Sequence, residues 1–328
     1  MDTINLNKIL IAIPAHNEEL VIVEVAKKIK TVTEKDNKHI YSLVVFDDAS
    51  KDNTATNLKK ENFNVYEIKK SFGLGNVFTH ITNYFLANDF DYLVTIDGDG
   101  QFNPNDIEKI IESILSNKAD MVTGSRFLKE SQTTNISWIK KFGNKIGAKY
   151  ISSILREKYF DVTCGFRAYT KNAILKLHTF SDFTYTQEVF LNLGFKKMII
   201  KEVPINTTYF KNRKSRMVKS VFSYILKSFK IIIKSMLIYS PMRLFGRLSI
   251  ISLLVSGIAG IFIFIWDKTH GEVTPFKWLA IVSLVSFLIS IILYALGILL
   301  QITSRIQFTL EENLYYQKRQ TYTQHGKS

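Results

Sequence analysis

Two carboxylates spaced two residues apart, Asp97 and Asp99, are the residues of this chain best suited to metal chemistry. They follow an apolar, β-branched run at 93–96 that predicts a buried strand. They therefore fall at the carboxyl end of that strand, where open α/β sheets bind their ligands. Hard oxygen ligands favour Mg²⁺ or Mn²⁺, which would bridge a diphosphate. The same Asp-Gly-Asp sequence, continued by polar residues 103–106, is also ordinary turn chemistry leading to a helix N-cap, so both interpretations stay open for the segment alone.

Short β-branched runs alternate with amphipathic helical stretches between residues 8 and 124. This alternation is typical of an α/β fold with a mostly parallel sheet and helices on its faces. The predicted strands are 9–13, 43–46, 65–68, 93–96 and 121–122, and the predicted helices are 18–33, 54–61, 77–87 and 104–116, followed by 136–155 and 171–178. Each strand leads into a polar or glycine-bearing loop. The loops 14–18, 47–52, 71–76, 97–101 and 124–127 should therefore share one edge of the sheet, where we expect the ligand.

Two long uncharged segments near the C-terminal end explain the mean hydropathy of +0.04 in a chain with a net charge of +14. They span 19 residues (248–266) and 27 residues (278–304). Each is long enough to cross a bilayer, which takes roughly 20 helical residues. A buried hairpin in a soluble core is the alternative, but such helices seldom stay uncharged beyond roughly 14 residues. The sequence therefore predicts a transmembrane hairpin.

A basic segment precedes this hairpin. No Asp or Glu occurs from Val203 to Trp266, whereas ten Lys and Arg residues fall there. Residues 218–239 alternate apolar and basic positions at helical spacing, which predicts an amphipathic helix on the membrane surface. Positive charge beside membrane spans favours anionic lipids and the cytoplasmic side, so the catalytic domain and the C-terminus should be cytoplasmic. The rest of the chain is near charge balance and carries no recognisable nucleic-acid motif, so no nucleic-acid partner is expected.

Cysteine and histidine usage excludes other classes of site. The single cysteine, Cys164, rules out an intrachain disulfide. The six histidines lack zinc-ligand spacing, so a structural zinc site is not expected. The apolar run 9–15 is too short for a membrane span and continues into charged residues, so no signal peptide is predicted.

Five motifs occur in the order and spacing of the family 2 glycosyltransferases. They are IPAHNEE (13–19), VVFDDAS (44–50), DGDGQF (97–102), GSRF (124–127) and DVTCGFRAY (161–169). From residue 8 to about residue 305 the chain resembles, more narrowly, the polyprenyl-phosphate branch, which includes dolichol-phosphate mannose synthase and relatives with two C-terminal membrane helices. The resemblance implies a nucleotide-diphospho-sugar transferase (GT-A) sheet and hexosyltransferase activity.

The resemblance also implies a nucleoside pocket at the first two loops. Pro14, His16 and Glu18 would line it together with Asp47 and Asp48, whose carboxylates would accept hydrogen bonds from the base and the ribose. A loop-capping role for the two aspartates is the alternative.

The phosphate groups would be held by a second set of residues. By the same resemblance, Asp97 and Asp99 would bind Mg²⁺ or Mn²⁺ on the donor diphosphate, and Gln101 would support the metal or the acceptor phosphate. Arg126 and Arg167 would donate to phosphate oxygens, with a surface salt bridge as the alternative for each.

A phosphate monoester acceptor changes what catalysis requires. Its second pKa is about 6, so it is largely ionised at neutral pH and needs cationic positioning more than a strong base. The resemblance assigns the lipid-phosphate clamp to residues 209–217, and the candidates there are Arg213, then Lys214, Ser215 and Arg216. A membrane-surface role for these charges is the alternative. Glu188 would serve as a base or as a hydrogen-bond anchor for the acceptor, and we favour the anchor.

The expected function is metal-dependent, inverting transfer of one hexose from a UDP- or GDP-sugar to a polyprenyl phosphate, either undecaprenyl or dolichyl. One alternative is transfer to a lipid-linked saccharide or polymer, in which case Glu188 would be an essential base. Another is a catalytically silent membrane partner that binds nucleotide sugars. The expected organisation is a cytoplasmic catalytic domain (1–210), a basic amphipathic membrane-interface segment (211–243), a transmembrane hairpin (244–304) and a cytoplasmic polar tail (305–328). Assembly into a homo-oligomer is left open.

Overall fold

The computed structural model describes residues 6–116, 118–136, 138–178, 185–209, 230 and 233–325. The chain divides into two compact units. The first comprises Met1–Ile231 with Leu314–Ser328, and the second comprises Ile232–Asn313.

The first unit is built on a seven-stranded sheet with the order β3-β2-β1-β4-β7-β5-β8. All neighbouring strands are parallel except β7, which runs antiparallel to both β4 and β5. A short parallel pair, β6 and β9, lies apart from this sheet. The strands are β1 (Asn7–Ala15), β2 (His39–Asp48), β3 (Asn64–Ile68), β4 (Tyr92–Thr95), β5 (Met121–Ser125), β6 (Thr133–Thr134), β7 (Arg167–Thr170), β8 (Ile200–Pro204) and β9 (Thr207–Thr208).

Helices cover the sheet because each presents an apolar face to it. In the first of them, Val25, Ala26 and Ile29 are buried at helical spacing against strand residues such as Ile11 and Val94. The helices of this unit are α1 (Ile22–Thr33), α2 (Thr54–Lys60), α3 (Leu74–Ala87), α4 (Asp106–Ser116), α5 (Trp138–Leu155), α6 (Lys171–Lys176) and α7 (Thr186–Phe195).

The predicted α/β fold class is confirmed, and all the strands and helices predicted for residues 8–124 are present. Helix α1 begins at Ile22, later than predicted, because Glu18 closes a turn by accepting the backbone N–H of Val21 at 3.1 Å. Among the described residues, five elements were not predicted: the strands β6, β7, β8 and β9 and the helix α7. Helix α7 is buried on all sides from Thr186 to Leu193, so its sequence shows no polar face for periodicity to detect.

The second unit contains two long helices, α8 (Pro241–His270) and α9 (Lys277–His325). Both are long and apolar enough to cross a membrane. Their apolar side chains are open to the surroundings, with Ile258 and Leu284 70% and 61% exposed. A hairpin in a soluble core would bury these side chains, so the exposure favours a lipid environment. Three serines of α8 donate to backbone carbonyls of α9: Ser249 to Ser290 (3.0 Å), Ser252 to Ser286 (2.8 Å) and Ser256 to Ser283 (2.8 Å).

The structure adds detail to the segments that flank the hairpin. Most of the predicted amphipathic helix 218–239 lies outside the described residues, and 233–239 are helical. The polar segment after Arg305 continues α9 as a helix to His325. Its last turns belong to the first unit, where the Tyr315 hydroxyl donates to Asn172 Oδ1 at 3.2 Å.

Candidate active site

The sheet topology brings four predicted site segments to one edge. Strands β1 and β2 are parallel and in register, so Ala15 lies opposite Asp47. Strand β4 is parallel to β1 and ends at Thr95, just before the Asp97–Asp99 turn. Strand β7 is antiparallel to β4 and pairs Arg167 with Thr95, so the segment that precedes Arg167 reaches the same edge. Reversal of β7 is therefore what adds residues 161–165 to the site.

Asp97 and Asp99 form the predicted carboxylate pair. Burial, and secondly the charge of Asp99, raise the pKa of Asp97 to about 7, while Arg126 and Arg167 lower it. Asp99 Oδ1 accepts the backbone N–H of Gln101 at 3.0 Å, which fixes the turn between the two predicted metal-supporting residues. Two partly buried carboxylates repel each other when both are ionised. A bound divalent cation would offset this repulsion, so the pair is suited to bind a metal ion.

Gly165 gives the Asp97 carboxylate its space. A Cβ atom at this position would lie 2.5 Å from Asp97 Oδ1 and 2.9 Å from Oδ2, closer than real contacts allow. The Gly165 carbonyl accepts a hydrogen bond from Thr95 Oγ1 at 2.8 Å, which holds the glycine against the end of β4. The sequence analysis included Gly165 in a motif but assigned it no role.

The carboxylate pair cannot hold a metal without further ligands. Among the residues that the structure describes, no group of three or more His, Cys, Asp or Glu side chains is placed to bind a metal ion. Mg²⁺ typically combines one or two carboxylates with substrate phosphates and water. The donor set at Asp97 and Asp99 therefore suits a metal that arrives with a diphosphate.

The two aspartates at the end of β2, Asp47 and Asp48, have different surroundings. This difference distinguishes between the two roles expected for them, ligand binding and loop capping. Asp47 accepts the backbone N–H of Ser50 at 3.2 Å and the Ser50 hydroxyl, so it caps its own loop. Asp48 accepts the Ser71 hydroxyl at 2.7 Å through Oδ2, while its buried Oδ1 has no hydrogen-bond partner among the described residues. An open, buried carboxylate oxygen is suited to receive N–H or O–H donors of a ligand.

The His16 ring contacts two neighbouring groups, one on each ring nitrogen. Its Nδ1 lies 2.7 Å from the Asp48 carbonyl oxygen, and its Nε2 lies 3.0 Å from Asn17 Nδ2. These partners imply a neutral ring with the proton on Nδ1, since a carbonyl oxygen accepts and an amide nitrogen donates.

Asn17 joins the first two loops and was missed by the sequence analysis. Its backbone N–H donates to Ser50 Oγ at 2.8 Å, and its Oδ1 accepts the Lys51 N–H at 2.7 Å. Its φ of 54° lies in the left-handed region, which Asn tolerates better than most residues. An Asn two residues after the end of β1 was the available signal.

The remaining predicted pocket residues lie along the same loop. Pro14 is opposite Phe46 in the sheet, and its carbonyl oxygen would be 3.2 Å from a Cβ on Gly98, so the end of β1 lies against the Asp97–Asp99 turn. Glu18 anchors the loop through its backbone N–H, which donates to Thr54 Oγ1 at 2.7 Å.

Arg126 has protein partners on all three of its side-chain nitrogens. Nε and Nη2 donate to the two oxygens of fully buried Asp161 at 2.6 and 2.8 Å, and Nη1 donates to the Tyr209 hydroxyl at 2.7 Å. Burial alone would lower the pKa of Arg126, but Asp161 raises it well above the usual value, so the guanidinium stays charged. The pair is a buried, bidentate salt bridge and differs from the surface salt bridge considered as the alternative.

Arg167 is completely buried, on β7. Its Nη2 donates to the Val162 carbonyl at 3.2 Å, and its guanidinium carbon lies 4.9 Å from the Phe190 ring centroid. Its charge acts on Asp97, whose pKa it lowers. Glu188, on α7, is only 4% exposed. The other predicted acceptor-side residues, Arg213, Lys214, Ser215 and Arg216, lie outside the described residues.

The fold and the site define the class of this protein, which is a glycosyltransferase with a GT-A-type sheet. The chain belongs to glycosyl transferase family 2, because residues 10–177, about half of its length, match the model of that family. Both expectations from the sequence, the family and the GT-A fold, are confirmed.

Two named relatives are similar over much of the chain. The UDP-N-acetylglucosamine–dolichyl-phosphate N-acetylglucosaminyltransferase of Methanococcus voltae is 31% identical, over 61% of this chain and 86% of its own length. The undecaprenyl-phosphate mannosyltransferase of Micrococcus luteus is 28% identical, over 51% of this chain and 68% of its own length.

A solved structure shares the fold. Glucosyl-3-phosphoglycerate synthase of Mycobacterium tuberculosis, in complex with Mn²⁺, UDP and glucosyl-3-phosphoglycerate, superposes with a TM-score of 0.52 at 15% identity. The match covers 68% of this chain and 78% of the synthase.

Proposed function

We propose that this protein transfers one hexose from a UDP- or GDP-sugar to a polyprenyl phosphate at the cytoplasmic face of a membrane, with inversion at the anomeric carbon. The observation that carries the proposal is the partly buried Asp97–Asp99 pair on a chain that also holds two membrane-length helices. Both named relatives act on polyprenyl phosphates, and their names give different sugars, so we leave the sugar open.

The donor would bind across the carboxyl edge of the sheet. Asp48 Oδ1 would accept a hydrogen bond from the base or ribose, beside His16 and Pro14, and Asp97 and Asp99 would face the diphosphate. A bound Mg²⁺ or Mn²⁺ would supply Lewis-acid stabilisation of the charge that develops on the departing nucleoside diphosphate. Asp97 and Asp99, supported by Gln101, are the residues that would hold it.

The transfer itself is a single displacement. An ionised oxygen of the acceptor phosphate attacks the anomeric carbon, a new carbon–oxygen bond forms there, and the bond to the donor diphosphate breaks with its electrons on the phosphate oxygen. No proton has to be removed from the nucleophile, because the monoester is largely ionised at neutral pH. The basic segment containing Arg213 and Arg216 is the proposed site of the acceptor phosphate.

The two buried arginines support this site electrostatically. Both lower the pKa of Asp97 and so favour its metal-binding, ionised form. We also assign Arg126 a positioning role, since its contacts tie the loop of Asp161 to Tyr209, the last described residue before the basic segment.

The test is a donor panel of UDP- and GDP-sugars with Mg²⁺ or Mn²⁺ and a short polyprenyl phosphate, followed by mild-acid hydrolysis of the lipid product. The proposal expects an acid-labile sugar phosphodiester. Asp97→Asn and Asp99→Asn should lose transfer, whereas the control Asp91→Asn should keep it. Asp91 lies at the opposite end of β4, where it accepts the Lys8 backbone N–H at 2.8 Å.

Transfer to a lipid-linked saccharide would require a true base, and Glu188 is the candidate. Its burial on α7 suits the anchor role that we favour. The variant Glu188→Gln distinguishes the two functions. Glutamine keeps one side-chain oxygen, so an anchor would retain part of its hydrogen bonds. Glutamine cannot take up a proton as a carboxylate does, so a base would lose its catalytic role. A large fall in kcat with an unchanged acceptor KM would favour the second function.

A further inference from the structure

Four side chains on β7 and at the start of α7 are buried with polar atoms that form no hydrogen bond. Arg167 and Tyr169 are completely buried, and Tyr185 and Gln187 are 1% and 3% exposed. Within the described part of the chain, no hydrogen-bond partner is present for Nε and Nη1 of Arg167, for the two tyrosine hydroxyls or for Gln187 Oε1. A buried polar group without a partner is destabilising, so this concentration of such groups points to a ligand.

The Arg167 guanidinium is held mainly by aromatic rings. Its central carbon lies 4.9 Å from the Phe190 ring centroid and 6.0 Å from the Tyr185 ring centroid. The Tyr185 ring is fixed in turn by Phe78, which stacks on it with the two centroids 3.9 Å apart. A cation beside an aromatic face is stabilised without using its N–H groups. Only Nη2 donates to the protein, at the Val162 carbonyl, so the Nε and Nη1 donors are held in place and remain open to a ligand.

These open groups lie beside the predicted metal site. Arg167 is paired with Thr95 across the sheet, and Thr95 is two residues before Asp97. Burial raises the pKa of Tyr185 well above its usual value, and Tyr169 and Asp97 raise it further, so these three side chains are close together. In a nucleotide sugar the hexose is bonded directly to the diphosphate. A donor with its diphosphate at Asp97 would therefore bring its hexose to the open groups.

The chemistry of the open groups distinguishes a sugar from a phosphate. Arg167 offers donors, Gln187 Oε1 is an acceptor, and the two tyrosine hydroxyls can do either. Gln187 precedes Phe190 by three residues on α7 and so shares the face that contacts Arg167. An ionised phosphate has only acceptors and would leave Gln187 Oε1 unpaired. Sugar hydroxyls both donate and accept, so a hexose matches the whole set.

We propose that these four side chains form the subsite that receives the hexose of the donor and selects which hexose is transferred: Arg167, Tyr169, Tyr185 and Gln187. The inference rests on the proposed function for the position of the donor at the carboxyl edge of the sheet. Without a donor the buried groups stay unpaired, and the sugar hydroxyls supply their partners. A site built to hydrogen-bond a hydroxyl rejects a sugar that lacks this hydroxyl, because a buried group is then left unpaired.

Two substitutions that each remove a single hydroxyl test the subsite: Tyr169→Phe and Tyr185→Phe. With the full chain in detergent and Mn²⁺ present, calorimetry compares UDP-glucose, UDP-N-acetylglucosamine and GDP-mannose with UDP and GDP. The readout is the dissociation constant of the nucleoside diphosphate divided by that of the nucleotide sugar, a ratio that isolates the contribution of the sugar. For the sugar with the highest ratio in the wild type, at least one substitution should lower the ratio about fivefold and leave the affinity for the nucleoside diphosphate unchanged.

The unfolding temperature of the ligand-free protein separates this role from a structural one. Removal of a buried hydroxyl that has no partner removes a destabilising group, so both variants should unfold about 2–4 °C above the wild type. The matched control is Tyr41→Phe near the start of β2, where the hydroxyl donates to Asp36 Oδ2. This control loses a hydrogen bond, so it should unfold at a lower temperature and leave the ratio unchanged.

Three results overturn the subsite. The first is a ratio that neither substitution lowers. The second is a lower unfolding temperature in both variants, since the hydroxyls then have partners in the ligand-free protein. The third is a higher KM for the polyprenyl phosphate with an unchanged ratio, which identifies the acceptor phosphate as the ligand of these groups.

The binding measurement needs neither acceptor nor turnover, so it distinguishes the subsite from the proposed function. If no donor supports transfer to a polyprenyl phosphate but the ratio falls in the variants, the proposed function fails and the sugar subsite stands. If transfer occurs and the ratio does not change, the sugar subsite fails alone.

Discussion

Replacement of Gly165 by Ala should disable the metal site without unfolding the protein. The added Cβ would lie 2.5 Å from Asp97 Oδ1, whereas atoms in contact prefer about 3.5 Å. The Asp97 carboxylate must therefore retreat by about 1 Å. Metal ligands tolerate only about 0.2 Å, and a misplacement of about 1 Å at a reacting centre costs on the order of 100-fold in rate.

The measurement is an Mn²⁺ titration followed by paramagnetic resonance, with UDP and with GDP, together with kcat for the preferred donor. We expect the affinity for Mn²⁺ to fall about tenfold or more and kcat to fall about 100-fold. Gly165 does not adopt a positive φ, so alanine adds no backbone strain there, and circular dichroism should report a folded chain.

The matched control is Gly147→Ala in α5. A Cβ there would meet Val162 Cγ2 at 3.8 Å and Gln187 Nε2 at 3.9 Å, which are ordinary contacts. Alanine should stabilise the helix by about 1 kcal/mol and leave metal affinity unchanged. Wild-type Mn²⁺ affinity in Gly165→Ala would refute the reasoning, because the carboxylate would then have moved without consequence.

Three further predictions follow from burial and charge. Because the pKa of Asp97 is raised to about 7, protons compete with the metal, so Mn²⁺ affinity should be about tenfold weaker at pH 6 than at pH 8; a flat titration contradicts this. The metal-free protein should lose stability as pH rises from 3.8, the ordinary pKa of Asp, to about 7, and the loss should level off above that pH. Arg126→Met should lower the unfolding temperature far more than Lys59→Ala, since removing one partner of a buried pair costs about 3–5 kcal/mol and removing the exposed Lys59 from its pair about 0–1; equal shifts contradict this. Burial raises the pKa of the Cys164 thiol to about 12, so iodoacetamide at pH 8 should modify it only after denaturation, as mass spectrometry would show.

The sequence alone was sufficient to predict the elements whose pattern lies within one short segment of the chain. Strands β1 to β4 and the helices between them follow from short β-branched runs and amphipathic spacing, and their order implies that the loops share one edge. The two helices of membrane-spanning length and hydropathy follow from the length of the two segments and their lack of charge, because any charge within a span would be costly. The family followed from five ordered motifs, and the match over residues 10–177 confirms it.

Elements without a periodic signal could not be predicted in this way. Strand β7 has only four residues and begins with a charged one, Arg167, so neither alternation nor an apolar run marks it. It pairs with β4 and β5 through long-range contacts, and the direction of a strand inside a sheet is decided by those neighbours. Its antiparallel direction is what carries Asp161 and Gly165 to the active-site edge.

Residue types alone indicated which side chains are candidates for the active site. The contacts of each side chain in the tertiary structure decided its role. From their motifs, Arg126 and Arg167 were both expected to donate to phosphate oxygens. In the structure Arg126 forms a salt bridge with Asp161, whereas Arg167 is buried beside the Phe190 ring. Two neighbouring aspartates also diverge, since Asp47 caps its loop while Asp48 keeps an oxygen open. A sequence determines the chemical type of a side chain and its place along a strand. Its hydrogen-bond partners and its burial depend on segments distant in sequence that packing brings together, and these determine its pKa and its function.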